Sequence, residues 1–418
     1  MKNSSVFRFL LALLLSAVAL HTAWSAELRI WTDVKGRTLE ARFVRVVDEE
    51  VELQLKDGKT AEVKISTLSS ADQEYLEEYA NVETDVNDPT PAGEPEKDAR
   101  IDTKLFKKWE SDLVLNDSEL VFEVLETPNF LILTTGSVRG KDTAENAERL
   151  WHGMSFQHPT FRSKFEEKKL AIVVTDEPEV WSELGQYYRN RLREMEEFEA
   201  EDQISKTWPV STSAGFVFEG PLAERYNIFP NATAIHATDR SLERGVWSPF
   251  RTHILSEALL RVQIGGIVSF GSEGLLALSK GHAYYKEVSL CGTSVTQLIS
   301  ADSFDSDEVF QRGGFDDGRN WSKIAKTLLR KGAKPDMGNL YAARRDNISA
   351  EQIVFIYGLS AFMQSTKGRL AGYAKLVERM DTSATVPEPL EVARIFGHES
   401  TEEFHQEWHE WMKTSDFR

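Results

Sequence analysis

Apolar and polar positions alternate at period two in three stretches near the N-terminus: Ala41 to Val46, Val51 to Leu55 and Ala61 to Ile65. That is the spacing of half-buried strands. Asp57-Gly58 between the second and third favours a tight hairpin, because both residues tolerate positive φ. Ser70-Ala71-Asp72-Gln73 has the form of a capping box that opens a short helix. Residues 28 to 78 therefore read as a small β unit the size of an SH3-like barrel. Further along the period changes. Asn129 to Thr135 and Lys169 to Thr175 have the length and content of buried strands, while Thr143 to Phe156 and Val180 to Arg193 carry helical spacing. Ala214 to Phe218 and Ala232 to Ala237 are extended pieces ahead of a long helical pattern at 250–263. The remainder is mainly helical, broken by a Gly- and Asp-rich stretch from Ser303 to Asn320. Such irregular alternation predicts an α+β domain with a mostly helical C-terminal half, not a doubly wound sheet.

Between the two regions, residues 79–100 combine Pro89, Pro91 and Pro95 with many acidic side chains and little apolar material. Such a segment cannot bury enough surface to fold, so it reads as a disordered linker. At the start of the chain, Lys2 and Arg8 precede the apolar run Phe9 to Leu20, and Ala23-Trp24-Ser25 ends in small residues. Residues 1–25 read as a secretory signal, too short to span a bilayer, which implies an exported protein, periplasmic or extracellular, with no membrane anchor.

Composition narrows the choice of function. The 418 residues include 67 acidic against 49 basic side chains, a net charge of −18, which argues against nucleic acid as a partner. The single Cys291 removes internal disulfides and cysteine-based metal sites, and in an oxidising compartment a lone thiol is best buried as a small hydrophobe.

The N-terminal unit carries Arg29-Ile30-Trp31-Thr32-Asp33, Gly36, Ala41, Phe43, the Val51/Leu53 strand, Asp57-Gly58-Lys59 and Leu68-Ser69-Ser70-Ala71-Asp72-Gln73-Glu74-Tyr75-Leu76. Together these resemble an SLA homology domain of the first type, named after a eukaryotic endocytic adaptor and also found in exported proteins of planctomycete and verrucomicrobial bacteria. Residues 27–78 are then an SH3-like module that binds a peptide or protein ligand without catalysis. Trp31 is the aromatic on which a peptide could stack, or else core filler.

The stretch Phe250-Arg251-Thr252-His253-Ile254-Leu255-Ser256-Glu257, followed by Phe270-Gly271-Ser272-Glu273-Gly274-Leu275-Leu276-Ala277, resembles the core of a peptidase-MA-like gluzincin domain. Tyr357-Gly358-Leu359-Ser360-Ala361-Phe362 and the segment from Ala393 to Trp411 are similar to that family's C-terminal helices. The resemblance takes in residues 101–418 as one gluzincin-like domain. It puts the metal ligands at His253, Glu257 and Glu273, with Glu257 where the family has His. The general-base position falls on Ile254, whose alkyl side chain has no lone pair to accept a proton from metal-bound water. The implied domain is catalytically dead, with no cofactor or with zinc on a vestigial His/Glu/Glu site, a set that suits zinc less well than two imidazoles and one carboxylate. On the residues alone, Ile254, Leu255, Ala258, Leu259 and Val262 form a buried stripe, and His253, Glu257 and Arg261 a polar face.

His405 and His409 also stand one helical turn apart, but Glu407 lies between them, where neither metallopeptidase motif places it, so they read as a surface pair. No serine-nucleophile elbow, Walker loop or dinucleotide fingerprint is present. The leading expectation is an exported, non-catalytic protein-binding protein with a pseudo-metallopeptidase domain. The rivals are an active zinc metallopeptidase using the His/Glu/Glu set and a structural cell-envelope protein.

Overall fold

The computed structural model describes residues 28–47, 50–55, 60–79, 88–115, 118–158, 160–165, 167–238, 245–265, 272–296, 308–345 and 347–418. The expected secretory signal, the expected Asp57-Gly58 turn, Phe270-Gly271 and the first part of the Ser303 stretch lie outside them. Contacts divide the chain into two compact units, one ending at Glu83 and the other beginning at Thr84.

The smaller unit is an antiparallel meander of β1 (Leu28–Thr32), β2 (Thr38–Val47), β3 (Glu50–Leu55) and β4 (Thr60–Lys64), followed by helix α1 (Ser70–Tyr79). Trp31, Ala41, Val51, Leu53, Leu68 and Leu76 form its core. The expected barrel is not closed. Among the described residues no ladder joins β1 to β4, and an isolated bridge between Asp33 and Leu68 ties the two edges at one corner. Four short strands leave too little sheet to curl fully round, and α1 covers the core instead. The helix cap also sits one residue earlier than expected. The Ser69 hydroxyl accepts from the Asp72 amide and donates to the Asp72 carboxylate, while Gln73 bonds to the Leu68 carbonyl.

In the larger unit, residues 88–99 of the expected linker are ordered against the fold. Lys367 and Gly368 donate backbone bonds to Thr90 and Asp88, and Ala92 donates to Ser365. The short helix α2 (Pro95–Asp98) follows. A charged, proline-containing segment with little apolar surface is held here by backbone pairing and by a buried ion pair, neither of which hydropathy reveals.

The second sheet contains β5 (Lys107–Lys108), β6 (Leu113–Val114), β7 (Val121–Glu126), β8 (Phe130–Thr134), β9 (Leu170–Thr175), β10 (Ser213–Val217) and β11 (Asn231–His236). Its order is β10-β11-β9-β8-β7-β5, with β6 on β7. The central β8, β9 and β11 run parallel, and β10 and β7 flank them antiparallel. Parallel strands need covered faces, which explains the continuous apolar runs of β8 and β9. On one face lie α3 (Gly140–Gln157) and, later in the chain, α8 (Pro249–Gln263). On the other lies α5 (Pro178–Glu194), through Trp181 and Leu184. The intervening helices are α4 (Phe161–Lys164), α6 (Phe198–Thr207) and α7 (Gly220–Arg225).

The helical half continues with α9 (Leu275–Cys291), α10 (Glu308–Gly313), α11 (Trp321–Arg330), α12 (Met337–Tyr341), α13 (Ala350–Met363), α14 (Lys367–Ser383), α15 (Pro389–Ile395) and α16 (Thr401–Lys413). α13 is buried almost all round and packs on α9, α11 and α16. The class is mixed α and β with a helical second half, as the sequence suggests. No described helix is long and apolar enough to cross a membrane.

Candidate functional site

Ser248 caps α8 by accepting the Arg251 amide, and Pro249 supplies the first helical residue. α8 packs against α9, α3 and the end of β11. It is therefore buried on more sides than its apolar stripe implies. His253 is 0% exposed and lies inside the fold, not on a solvated face. Ile254 and Leu255 belong to the main core, each worth about 1.5–3 kcal/mol in buried apolar surface.

The second helix opens at Gly274, whose φ of +81° is left-handed and where a Cβ would strike the Tyr341 ring. That is the physical reason for glycine in Ser272-Glu273-Gly274. Glu273, the expected third ligand, is exposed on the turn just before α9. The other two expected ligands meet residues of α9 instead. Lys280 Nζ lies 2.6 Å from Glu257 Oε2 and 3.4 Å from His253 Nε2. His253 Nδ1 is 3.0 Å from Glu287 Oε2, and the Tyr284 ring stands edge-on to the imidazole at 4.8 Å. Glu287 also accepts from the Ser294 hydroxyl at 2.8 Å, the Val295 amide at 2.7 Å and both donors of Thr296.

Electrostatics follow from this packing. Burial, reinforced by the Lys280 charge and by His282, pushes the His253 pKa well below its usual value, so the ring is neutral. Burial raises the Glu287 pKa, and the Val295, Ser294 and Thr296 donors hold the rise in check. No group of three His, Cys, Asp or Glu side chains among the described residues is placed to hold a metal ion. With an ammonium beside the ring nitrogen, Glu273 apart and an alkyl group at the base position, these residues do not fit catalytic zinc.

The opposite face of α9 carries a second buried polar group. Lys286 Nζ bonds Glu96 Oε1 at 2.6 Å, and the His282 ring stacks on Tyr373 at 5.8 Å between centroids. Cys291 at the end of α9 is partly buried beside Thr252, and burial pushes its thiol up to about 11, which makes it unreactive at neutral pH. His405 and His409 are half-buried, not loose on the surface. Each clamps one loop, His405 Nε2 accepting the Met337 amide at 3.1 Å and His409 Nε2 bonding the Pro335 carbonyl at 2.7 Å.

In the smaller unit Trp31 is 1% exposed, donates its indole N–H to the Ala41 carbonyl at 3.0 Å and packs edge-on to Tyr75. It has no free face for a peptide, so its role is core filler. Arg29 lies over the Tyr75 ring at 3.7 Å and pairs with Asp72, which also accepts the Thr32 amide at 2.7 Å. These contacts fasten β1 to α1. Among the described residues of this unit, the large apolar side chains left open are Ile30 and Val34, 63% and 65% exposed.

Residues 21–84 match the family model of SLA1 homology domain 1, SHD1. SHD1 is a protein-interaction domain, and the match of the smaller unit to it is consistent with a protein ligand. The match ends where the smaller unit ends and does not bear on the larger one. No curated protein and no solved structure is significantly similar to the chain.

Sequence reasoning on the larger unit missed Lys280, Glu287, Glu96 and Lys286. One signal was available: Lys280 and Glu287 are seven apart on one face of a largely apolar helix, where charges need partners.

Proposed function

We propose that this is an exported, non-catalytic protein-binding protein, in which an SHD1 module takes a peptide or protein ligand and the larger unit is a pseudo-metallopeptidase. The observation that carries the second part is the cation between His253 and Glu257: it is Lys280, while Ile254 at the base position is 7% exposed and packed in the core. The Ile254 alkyl side chain offers no lone pair for water activation or proton abstraction at that position. Export rests on the basic and apolar pattern of residues 1–25. On the SHD1 surface, Ile30 and Val34 are the apolar side chains a ligand would cover.

The test is metal analysis of the full chain purified without chelator, run beside hydrolysis of an unfolded protein and a peptide-binding screen. The expected result is a metal-free chain that cleaves nothing and binds a peptide saturably. One zinc per chain with chelator-sensitive cleavage would overturn it.

A further inference from the structure

His405 and His409 hold one loop with bonds of opposite polarity, and a proton can break only one of them. Both stand on α16, one turn apart, with ring centroids 6.2 Å apart and planes 13° from parallel. His405 Nε2 lies 3.1 Å from the Met337 amide at the start of α12, and a backbone N–H only donates. That nitrogen therefore presents a lone pair, so the bonded ring is neutral with its proton on Nδ1. His409 Nε2 lies 2.7 Å from the Pro335 carbonyl, which only accepts, so there the nitrogen carries the proton. A further proton on His409 enters at Nδ1 and leaves the Pro335 bond intact, strengthened by charge. A further proton on His405 has only Nε2 to enter, where it confronts the Met337 N–H.

We infer that His405 is an acid-sensitive latch, whose protonation at Nε2 releases the start of α12 from α16 while His409 keeps its hold on Pro335. Lys334, Pro335, Asn339 and Leu340 form one wall of a cleft whose other wall is Gln352 and Phe355 of α13, so the latch acts on one wall of that cleft. The half-buried ring of His405 resists the proton through burial and the neighbouring His409, against Asp336 of the loop and Glu402 one turn back. Around His409, Lys413 opposes the charge, and Glu410 and Asp336 favour it. Lys334 of the loop and Glu351 of α13 line the adjoining cleft. Charges on the other elements near α16 are engaged elsewhere: Lys326 of α11 bonds the Phe417 carbonyl, Glu391 of α15 pairs with Arg379, and His398 pairs with Glu407. The inference is independent of both the peptide-binding and the pseudo-peptidase readings.

Amide hydrogen exchange of the full chain, followed by NMR from about pH 7.5 to about 5, tests it. The Met337 amide reads the latch, and the Phe355 amide of α13 reads opening of the whole unit. The released state binds a proton that the latched one refuses, so protection at Met337 should fall about tenfold per pH unit below about 6.5, ahead of Phe355. His405→Gln, whose amide oxygen accepts the same N–H at every pH, should remove that slope, and His409→Gln should keep it. Met337 protection that is flat or merely follows Phe355 in the unaltered chain overturns the latch, as does a slope that survives in His405→Gln or vanishes in His409→Gln. Nitrogen NMR of the unaltered chain decides independently of how the variants fold: at about pH 7.5 a proton on Nδ1 of His405 supports the inference, and a proton on Nε2 refutes it.

Discussion

Glu96 and Lys286 form an ion pair inside the larger unit, 2.6 Å apart with side chains 2% and 5% exposed. The pair pins the acidic segment ahead of the sheet into the interior across 190 residues of sequence. Gly153 on α3 makes room for it, since a Cβ there would collide with the Glu96 carboxylate. Arg149 adds a bond to the Ala99 carbonyl at 2.8 Å. The expected effect of Glu96→Ala is a loss of about 3–5 kcal/mol, because it strands a buried ammonium. Glu96→Leu combined with Lys286→Met should recover much of that. Denaturant unfolding measures both, and equal losses in single and double variants would contradict the pairing.

Restoring the missing base alone should damage the protein without reviving chemistry. Ile254 sits in the main core, so Ile254→Glu is expected to cost about 1–3 kcal/mol or more by burying a carboxyl among apolar neighbours. Hydrolysis of an unfolded protein should stay at background, since Lys280 still stands beside His253. Cleavage by this variant would show that the site tolerates a metal after all.

In the SHD1 module, the residues for folding and for binding should separate. Trp31→Ala removes a fully buried indole and its bond to Ala41, an expected cost of about 3–5 kcal/mol to the module. Ile30→Asp with Val34→Asp should leave stability within about 0.5 kcal/mol while abolishing peptide binding. Calorimetry and fluorescence anisotropy on the same proteins distinguish the two. Undiminished binding by the double variant places the ligand elsewhere on the module.

Acid should destabilise the larger unit through buried neutral histidines, His158 and His282 as well as His253. Burial, helped by the Lys286 charge, holds His158 near about 3 and His282 well below its usual value. In the unfolded chain all three titrate near about 6.5. Below that pH the unfolded state binds protons that the folded state refuses, so stability is complete above about 6.5 and falls as pH drops, by about 1.4 kcal/mol per unit for each ring. Denaturant midpoints from about pH 7 to 5 report the slope, and His282→Gln should remove the share of that ring. An unchanged slope in a folded variant would rule out a buried neutral ring at 282.

The strands and helices around 129–135, 143–156, 169–175, 180–193 and 250–263 were legible because their determinants are local: β-branched runs between turns, and apolar spacing of three and four. Trp31 was left open between stacking surface and core, because period two tells which face a residue shares and not which face α1 covers. His253, Glu257 and Arg261 read as a polar face of α8, and nothing in their own spacing shows that α9 lies over it.

What only the tertiary structure decided is which charges meet. His253 with Glu287 and Lys280, and Glu96 with Lys286, are pairings across 34, 27 and 190 residues. Such partners leave no periodic trace, and they arise only when packed helices bring a side chain and its counter-charge into the same water-poor space, where neither could remain alone.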